Sequence, residues 1–364
     1  MPGPPSGTAT AGGARTLAEA YRHFGEVVAA GTSPLYARVA VALSGSDRAL
    51  RAIETLPARK RHPTVVLAAL HDLALAGRAP ALAAAFAAGD RDAAAAAAVD
   101  TLLRMTDSVR ATAVRRKVRA DQSGHHAVLY PAVAEAAHRA GADAVGLIDV
   151  GRSAGLNLYV DRVGITYHNG LSLGDPSSPV QVSAAVVGDR AVPARAVPEV
   201  VARVGIDRDP VDVTDADEAR WLRVCLPPDQ PERMARLEAE TALAATDPPR
   251  LLRGDAADAL PDALALVPDD ALPVVTTTWA LSRFPPDRRV RFLERLRDAA
   301  AGRAVAWVSV EGVGVAPTVP TLGDRPASGH SIIGLALLGR AAAPAEALGR
   351  CWSRGRLLSW LAGG

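Results

Sequence analysis

The stretch Leu147–Arg162 reads LIDVGRSAGLNLYVDR. Apolar residues lead into Asp149, two glycines follow four apart at Gly151 and Gly155, and a stretch able to open a helix comes next. Two readings are open. Glycine there can serve only the geometry of a strand-to-helix turn, or it can let the backbone approach a nucleotide-like ligand.

The chain on either side frames the choice. From Ala144 onward, short apolar runs alternate with amphipathic stretches, the pattern of a parallel sheet covered by helices. Strands are predicted at Ala144–Asp149, Val201–Asp207, Leu251–Gly254, Leu272–Thr277 and Ala304–Val310. Helices are predicted at Ala154–Arg162, Asp215–Leu226, Pro231–Ala244, Ala256–Leu266 and Pro286–Ala300. Turn residues and alternating valines between the first two strands predict a β-hairpin insertion near 166–200. Upstream the signals are all helical. Thr16 and Glu19 have capping-box spacing, Ser33 precedes Pro34, and residues 90–117 read as one long helix. The expected organisation is a Pro/Gly/Thr-rich tail at 1–15 without an apolar core and read as disordered, a helical cap domain at 16–140, and an α/β domain at 141–364.

Composition narrows the function classes. Of 364 residues, 49% are hydrophobic and 22% charged, with a net charge of +2, which is ordinary globular content. The chain has 39 arginines and two lysines, spread along its length rather than gathered into the basic face that nucleic acid requires, so no nucleic-acid partner is expected. Two cysteines make neither a disulfide framework nor a metal cluster; a cytoplasmic location and no metal are expected. Nothing reads as a membrane span.

Three carboxylates stand at comparable places: Asp149 at the end of the first strand, Asp207 at the end of the second, and Asp255 just after the third. In an open α/β sheet, ligands bind beyond the carboxyl ends of the strands, so adjacent strands would aim three acceptors at one crevice. A neutral or cationic nucleoside fits that demand. The spacing Gly-x-x-x-Gly lacks the G-x-G-x-x-G dinucleotide fingerprint, and no P-loop is present.

The order DVGRSAG, VGIDRDP, RGDAAD resembles class I S-adenosylmethionine-dependent methyltransferases. That resemblance implies a Rossmann-like, methyltransferase-type parallel sheet and S-adenosylmethionine as cofactor. It assigns Asp149, Gly151 and Gly155 to the methionine part, Asp207 to the ribose and Asp255 to adenine, with Ser153, Asn157, Ala256 and Thr277 alongside. Ser153 stands where a middle glycine is usual. A wider resemblance, from about Leu17 to Leu361, is to domain-of-unknown-function family 2332, uncharacterised bacterial proteins. It rests on SPLYARVA, VGRSAGLNLYVDR, GDPSSPV, VGIDRDPVDVTDADEARWLRVCLPPDQPERMARL, DPPRLLRGDA and WVSVEGVGV. Members carry Thr-Asn-Glu-x-Gly-Arg where this chain reads ADQSGHH, Ala120–His126.

The acceptor side of the pocket is expected at that segment. Asp121 and His125 are the candidate clamp or base, and Tyr130 and Trp279 the candidate pocket wall. The expected activity is transfer to a small-molecule substrate, most simply of the methyl group. Chemistry at another sulfonium carbon and a non-catalytic nucleoside-binding protein are the alternatives. Ser153 in GRSAG also has the spacing of a nucleophile elbow, for which His330 would be the partner.

Overall fold

The computed structural model describes residues 16–119, 123–339 and 344–363, so the N-terminal tail, Asp121 and Gln122 lie outside the described residues. The chain divides into two units. One holds the described residues up to Arg119 together with Arg220–Met234, and the other holds the rest.

In the first unit the local signals act as written. Thr16 and Glu19 form a reciprocal capping box on Leu17–His23, and the Ser33 side chain caps Pro34–Ser44. Pro63–Leu75 is buried on nearly every face, so it forms the centre of the core with Val39, Leu43, Ile53 and Leu102. Ala94 and Ala98 are fully buried. Lacking bulk, they let Arg91–Arg104 approach Pro34–Ser44. The long helix expected at 90–117 is two, Arg91–Arg104 and Thr106–Arg115, broken where Met105 leaves helical geometry at φ −123°.

Residues from far along the chain complete this unit. Arg220 Nε donates to Asp72 Oδ1 at 2.9 Å, and Trp221 Nε1 donates to Lys117 O at 2.8 Å. Asp229 accepts from the Ser33 hydroxyl at 2.5 Å and from Leu35 N–H at 2.9 Å.

The second unit carries the sheet. Its strands are β1 (Ala144–Val150), β2 (Gly164–Tyr167), β3 (Ser172–Gly174), β4 (Gln181–Val186), β5 (Glu199–Asp207), β6 (Arg250–Arg253), β7 (Leu272–Thr278), β8 (Val305–Gly312), β9 (Ser331–Leu338), β10 (Glu346–Trp352) and β11 (Leu357–Trp360). They lie in the order β3-β2-β4-β11-β10-β9-β8-β7-β1-β5-β6. From β6 to β8 all pairings are parallel, as expected. The parallel sheet that was expected holds only in part, because β9, β10 and β11 each pair antiparallel with the strand before. The fold is therefore mixed α/β with one large sheet. The residues after Gly312 had shown only glycine, proline and an apolar run, which fixes no strand direction.

Within the parallel part, β5 and then β6 lie on one side of β1, and β7 and then β8 on the other. Strand order thus reverses at β1, and such a reversal opens a crevice beyond the carboxyl ends. One sheet face, with Ile148, Val150, Ile206, Val275 and Trp307, packs on Leu260, Phe292 and Leu296 of helices Ala256–Ala265 and Pro286–Ala299. The helix His126–Ala140 packs across β7, β8 and β9 and against β2 and β4, outside that cluster. Every residue from His126 to Ala137 is buried, so little of the helix faces solvent. It belongs to the sheet unit, which moves the boundary expected at 140 to the segment before Ser123.

The predicted hairpin is β2–β3, and β4 follows it to pair in parallel with both β2 and β11. The insertion therefore widens the sheet instead of standing apart from it. Among the described residues no single helix is long and apolar enough to cross a membrane.

Trp221→Ala should cost about 3–5 kcal/mol, the scale for emptying a buried tryptophan site. Hydrogen exchange should show lost protection in Pro63–Leu75 while β1 and β7 keep theirs. Equal loss in both units would contradict the division.

Candidate active site

The β1 strand is buried on both faces, and Asp149, next to its end, is fully buried too. Thr276 Oγ1 donates to Asp149 Oδ1 at 2.8 Å, and Asn157 Nδ2 approaches the same oxygen at 3.5 Å. Asp149 Oδ2 and Asn157 Oδ1 are buried without a hydrogen-bond partner. Two neighbouring acceptors thus lack donors. Burial pushes the Asp149 carboxyl up to about 6, against the pull of Thr276 and Arg152.

The turn that follows needs its glycines. Gly151 has φ +76° and Gly155 φ +62°. A Cβ on Gly151 would stand 3.0 Å from both Ala280 Cβ and Arg283 Nη2, and one on Gly155 3.0 Å from Leu158 Cδ1. The Gly151 N–H donates to Ile206 O at 2.8 Å, fastening the turn to β5. That donor is therefore taken, contrary to the expectation that it would face a ligand. Ser153 is buried, and its carbonyl accepts from Val211 N–H at 2.7 Å. The expected helix at Ala154–Arg162 is a 3-10 helix, Leu156–Arg162, with a non-helical Tyr159. Such a short irregular piece supplies little dipole.

Asp207 ends β5, where its Oδ1 accepts from Asp209 N–H at 2.8 Å. Asp255 is committed elsewhere. Its Oδ1 caps Ala256–Ala265 through Ala257 N–H, and its Oδ2 accepts from Arg208 at 2.6 Å and Arg288 at 2.9 Å. The arginines hold its carboxyl below the usual range against the effect of burial. Ala256 is buried in the helix-covered core. Thr277 points there as well, since its hydroxyl accepts from Trp307 Nε1 at 3.0 Å. Because strand side chains alternate, the threonine that meets Asp149 is Thr276, its partner in the β1–β7 register. Sequence reading missed Thr276 by one position.

Beyond β7, Trp279 has φ +49°. His125 lies edge-on to its ring at 4.9 Å between centroids, and the Arg152 guanidinium lies 6.0 Å from the ring centre. Arg152 is buried and donates through Nε to Thr278 O at 2.9 Å. Glu311, ending β8, accepts from the N–H groups of Ala280 and Leu281 at 2.8 Å, which shapes the turn after Trp279; burial pushes it up to about 7. Thus His125 and Trp279, far apart in sequence, meet. Arg152 joins them, and nothing in the sequence distinguished it among 39 arginines.

Next to His125, His126 Nε2 meets Leu156 O at 3.1 Å, and burial lowers its pKa to about 4, leaving it neutral. Gly124 N–H donates to Glu240 Oε1 at 2.8 Å. Tyr130 does not join the site. It is buried, and its hydroxyl accepts from Val197 N–H at 3.4 Å in the segment entering β5 at its amino end. Tyr159 donates to Asp247 O at 2.6 Å and is likewise a packing residue. His330 is held by Asp324 at 2.9 Å and lies on Trp352, so it offers no partner to Ser153. No group of three or more metal-ligating side chains is found among the described residues.

A family model described as an uncharacterized protein conserved in bacteria (DUF2332) matches residues 18–360. The chain belongs to this family. No curated protein and no solved structure matches it. The DUF2332 match takes in both units, from Leu17–His23 to β11, and so all the strand ends described above.

The buried Asp149 makes stability depend on pH in a defined direction. Its folded-state pKa, about 6, lies above its ordinary value of 3.8. The folded chain therefore binds the extra proton between those values, and stability falls as pH rises through that window. Asp149→Asn should remove a loss on the order of 3 kcal/mol, from 1.36 kcal/mol per pKa unit. Denaturant titrations of both proteins at pH 4 and pH 7 would measure the difference; parallel profiles would show that Asp149 ionises in the folded chain as it does in the unfolded one.

Proposed function

We propose that this protein is an S-adenosylmethionine-dependent transferase acting on a small molecule, with methyl transfer as its reaction. The carrying observation is the pair of unpartnered acceptors, Asp149 Oδ2 and Asn157 Oδ1, at the strand where the sheet order reverses. An ammonium group, with three donors and a positive charge, satisfies both. The parallel part of the sheet, with acids ending β1 and β5 on adjacent strands, resembles the Rossmann-like methyltransferase arrangement.

The fit differs from group to group. Asp149 and Asn157 would hold the amine of the methionine part. Asp207 would accept the ribose hydroxyls, because one of its oxygens is engaged only by a neighbouring backbone N–H. Gly151 leaves no room for a side chain beside Ala280 and Arg283. Asp255 fits least well, since both oxygens already have donors; we assign it to capping and to the ion pairs with Arg208 and Arg288, not to adenine. When bound, the cofactor supplies carbon activated by a sulfonium.

The chain's own task is then to orient the acceptor and exclude water. The buried His125 and the half-buried Trp279 serve as the wall on the acceptor side, with His125 able to hold or accept a proton. His126, neutral and fixed on Leu156 O, positions the segment that carries His125. Asp121, the other proposed clamp, lies outside the described residues.

Calorimetry should show Asp207→Ala weakening S-adenosylmethionine binding by about 1.5–3 kcal/mol, the scale for hydrogen bonds to a charged acceptor. Unchanged affinity in a folded variant would remove the ribose assignment. Mass spectrometry of the products should find S-adenosylhomocysteine. Methylthioadenosine would instead indicate attack at another sulfonium carbon.

A further inference from the structure

Two strained backbone segments converge on the His125–Trp279–Arg152 stack. The first is Trp279 itself, held in left-handed geometry by its N–H bond to Val310 O at 2.9 Å and by its indole, which donates to Ser331 Oγ at 2.8 Å. Ser331 opens β9 and pairs with Cys351 near the end of β10. The second segment follows at once. Ser353 and Arg354 take φ of +49° and +56°, the left-handed region that non-glycine residues avoid. Gly355, next in this turn, lies against the first turn of helix His126–Ala140, where a Cβ would stand 2.7 Å from Val128 Cγ2. The loops after β7 and β10 and the start of that helix are thereby gathered at one end of the sheet. Strain of this kind persists where packing or function demands it.

These segments gather positive charge. Arg152 is 4% exposed, and among the described residues it has no ion pair; nor have Arg283, which donates to Gly151 O, and Arg354. After burial, the charges of Arg283 and Arg354 are among the effects that lower the pKa of Arg152. The acids that face it are Asp149 and Glu311. Glu311 is occupied by backbone N–H groups, and Asp149 is held by Thr276. Thr278 Oγ1, fully buried beside the carbonyl that Arg152 grips, has no hydrogen-bond partner.

We propose that Arg152 and Arg354, with His125 and Trp279 as the wall, form an oxyanion site that receives the carboxylate or phosphate of the second substrate. Guanidinium forks suit both groups, and a buried cation without a carboxylate partner favours an arriving anion. Calling this anion the acceptor rests on the transferase reading; the site itself rests on the residues.

The test is calorimetry on the full chain with inorganic phosphate and, separately, succinate, at ionic strength held constant with chloride. One of the two should bind saturably, phosphate marking a phosphorylated acceptor and succinate a carboxylate one. Arg354→Gly, which suits the positive φ and spares the fold, should weaken that binding at least tenfold. Arg295→Ala, in helix Pro286–Ala299, should leave it unchanged. S-adenosylhomocysteine affinity should be the same in wild type and Arg354→Gly. No saturable binding by either anion, or unchanged binding in Arg354→Gly, overturns the proposal. So does an equal loss of S-adenosylhomocysteine binding, because Arg354 would then be holding the cofactor. Should the wild type fail to bind S-adenosylmethionine yet still bind an anion through Arg354, the transferase reading falls and the oxyanion site stands.

Discussion

Because β1 lies between β5 and β7 with both faces covered, a carboxylate near its end cannot reach water by turning over. Asp149 must find its donors inside the protein, and the register supplies only some of them. Thr276 comes alongside because it is the β7 residue paired with Asp149, and Asn157 comes back over the turn. The glycine turn is set by the same constraint. The chain must leave a buried strand sharply, and Gly151 is fastened to Ile206 on β5 as it does so. The reversal of strand order, the acid and the turn are thus parts of one arrangement, with two acceptors left over.

The remaining strand ends build outward from this centre. Glu311 closes β8 by accepting the backbone donors of the turn after Trp279, an unusual use for a buried glutamate and one that fixes where Trp279 stands. Arg152 reaches from the β1 turn to Thr278 O at the end of β7. Neighbouring strands are therefore tied across their carboxyl ends by side chains as well as by the sheet ladder. Acid and base are close there but not paired, which leaves the region electrostatically unfinished.

The helix His126–Ala140 gives the region its second layer. It is buried along His126–Ala137 because it packs across β7, β8 and β9 and also receives the inserted strands β2 and β4; the Tyr167 hydroxyl donates to Ala127 O at 2.6 Å. An insertion that looked in sequence like an appended hairpin is part of what buries this helix along its length. The same placement brings His125, just before the helix, onto Trp279.

The sequence by itself determined the local elements: the capping box at Thr16, the helix opened at Pro34, the five parallel strands within a few residues of their bounds, and the need for glycine at 151 and 155. These depend on side-chain periodicity and on single-residue backbone preferences, which are written along the chain. It also brought Asp149, Asp207, His125 and Trp279 forward as candidates. Only the tertiary structure decided which of the candidates meet. Asp255 is taken by two arginines from distant segments, and Thr277 gives way to Thr276 because register sets which threonine faces Asp149. The direction of β9 to β11, the transfer of Arg220–Met234 to the helical unit and the meeting of Arg152 with Trp279 are likewise long-range pairings. Such pairings depend on which surfaces are left to be covered once the elements exist, and no local pattern encodes that.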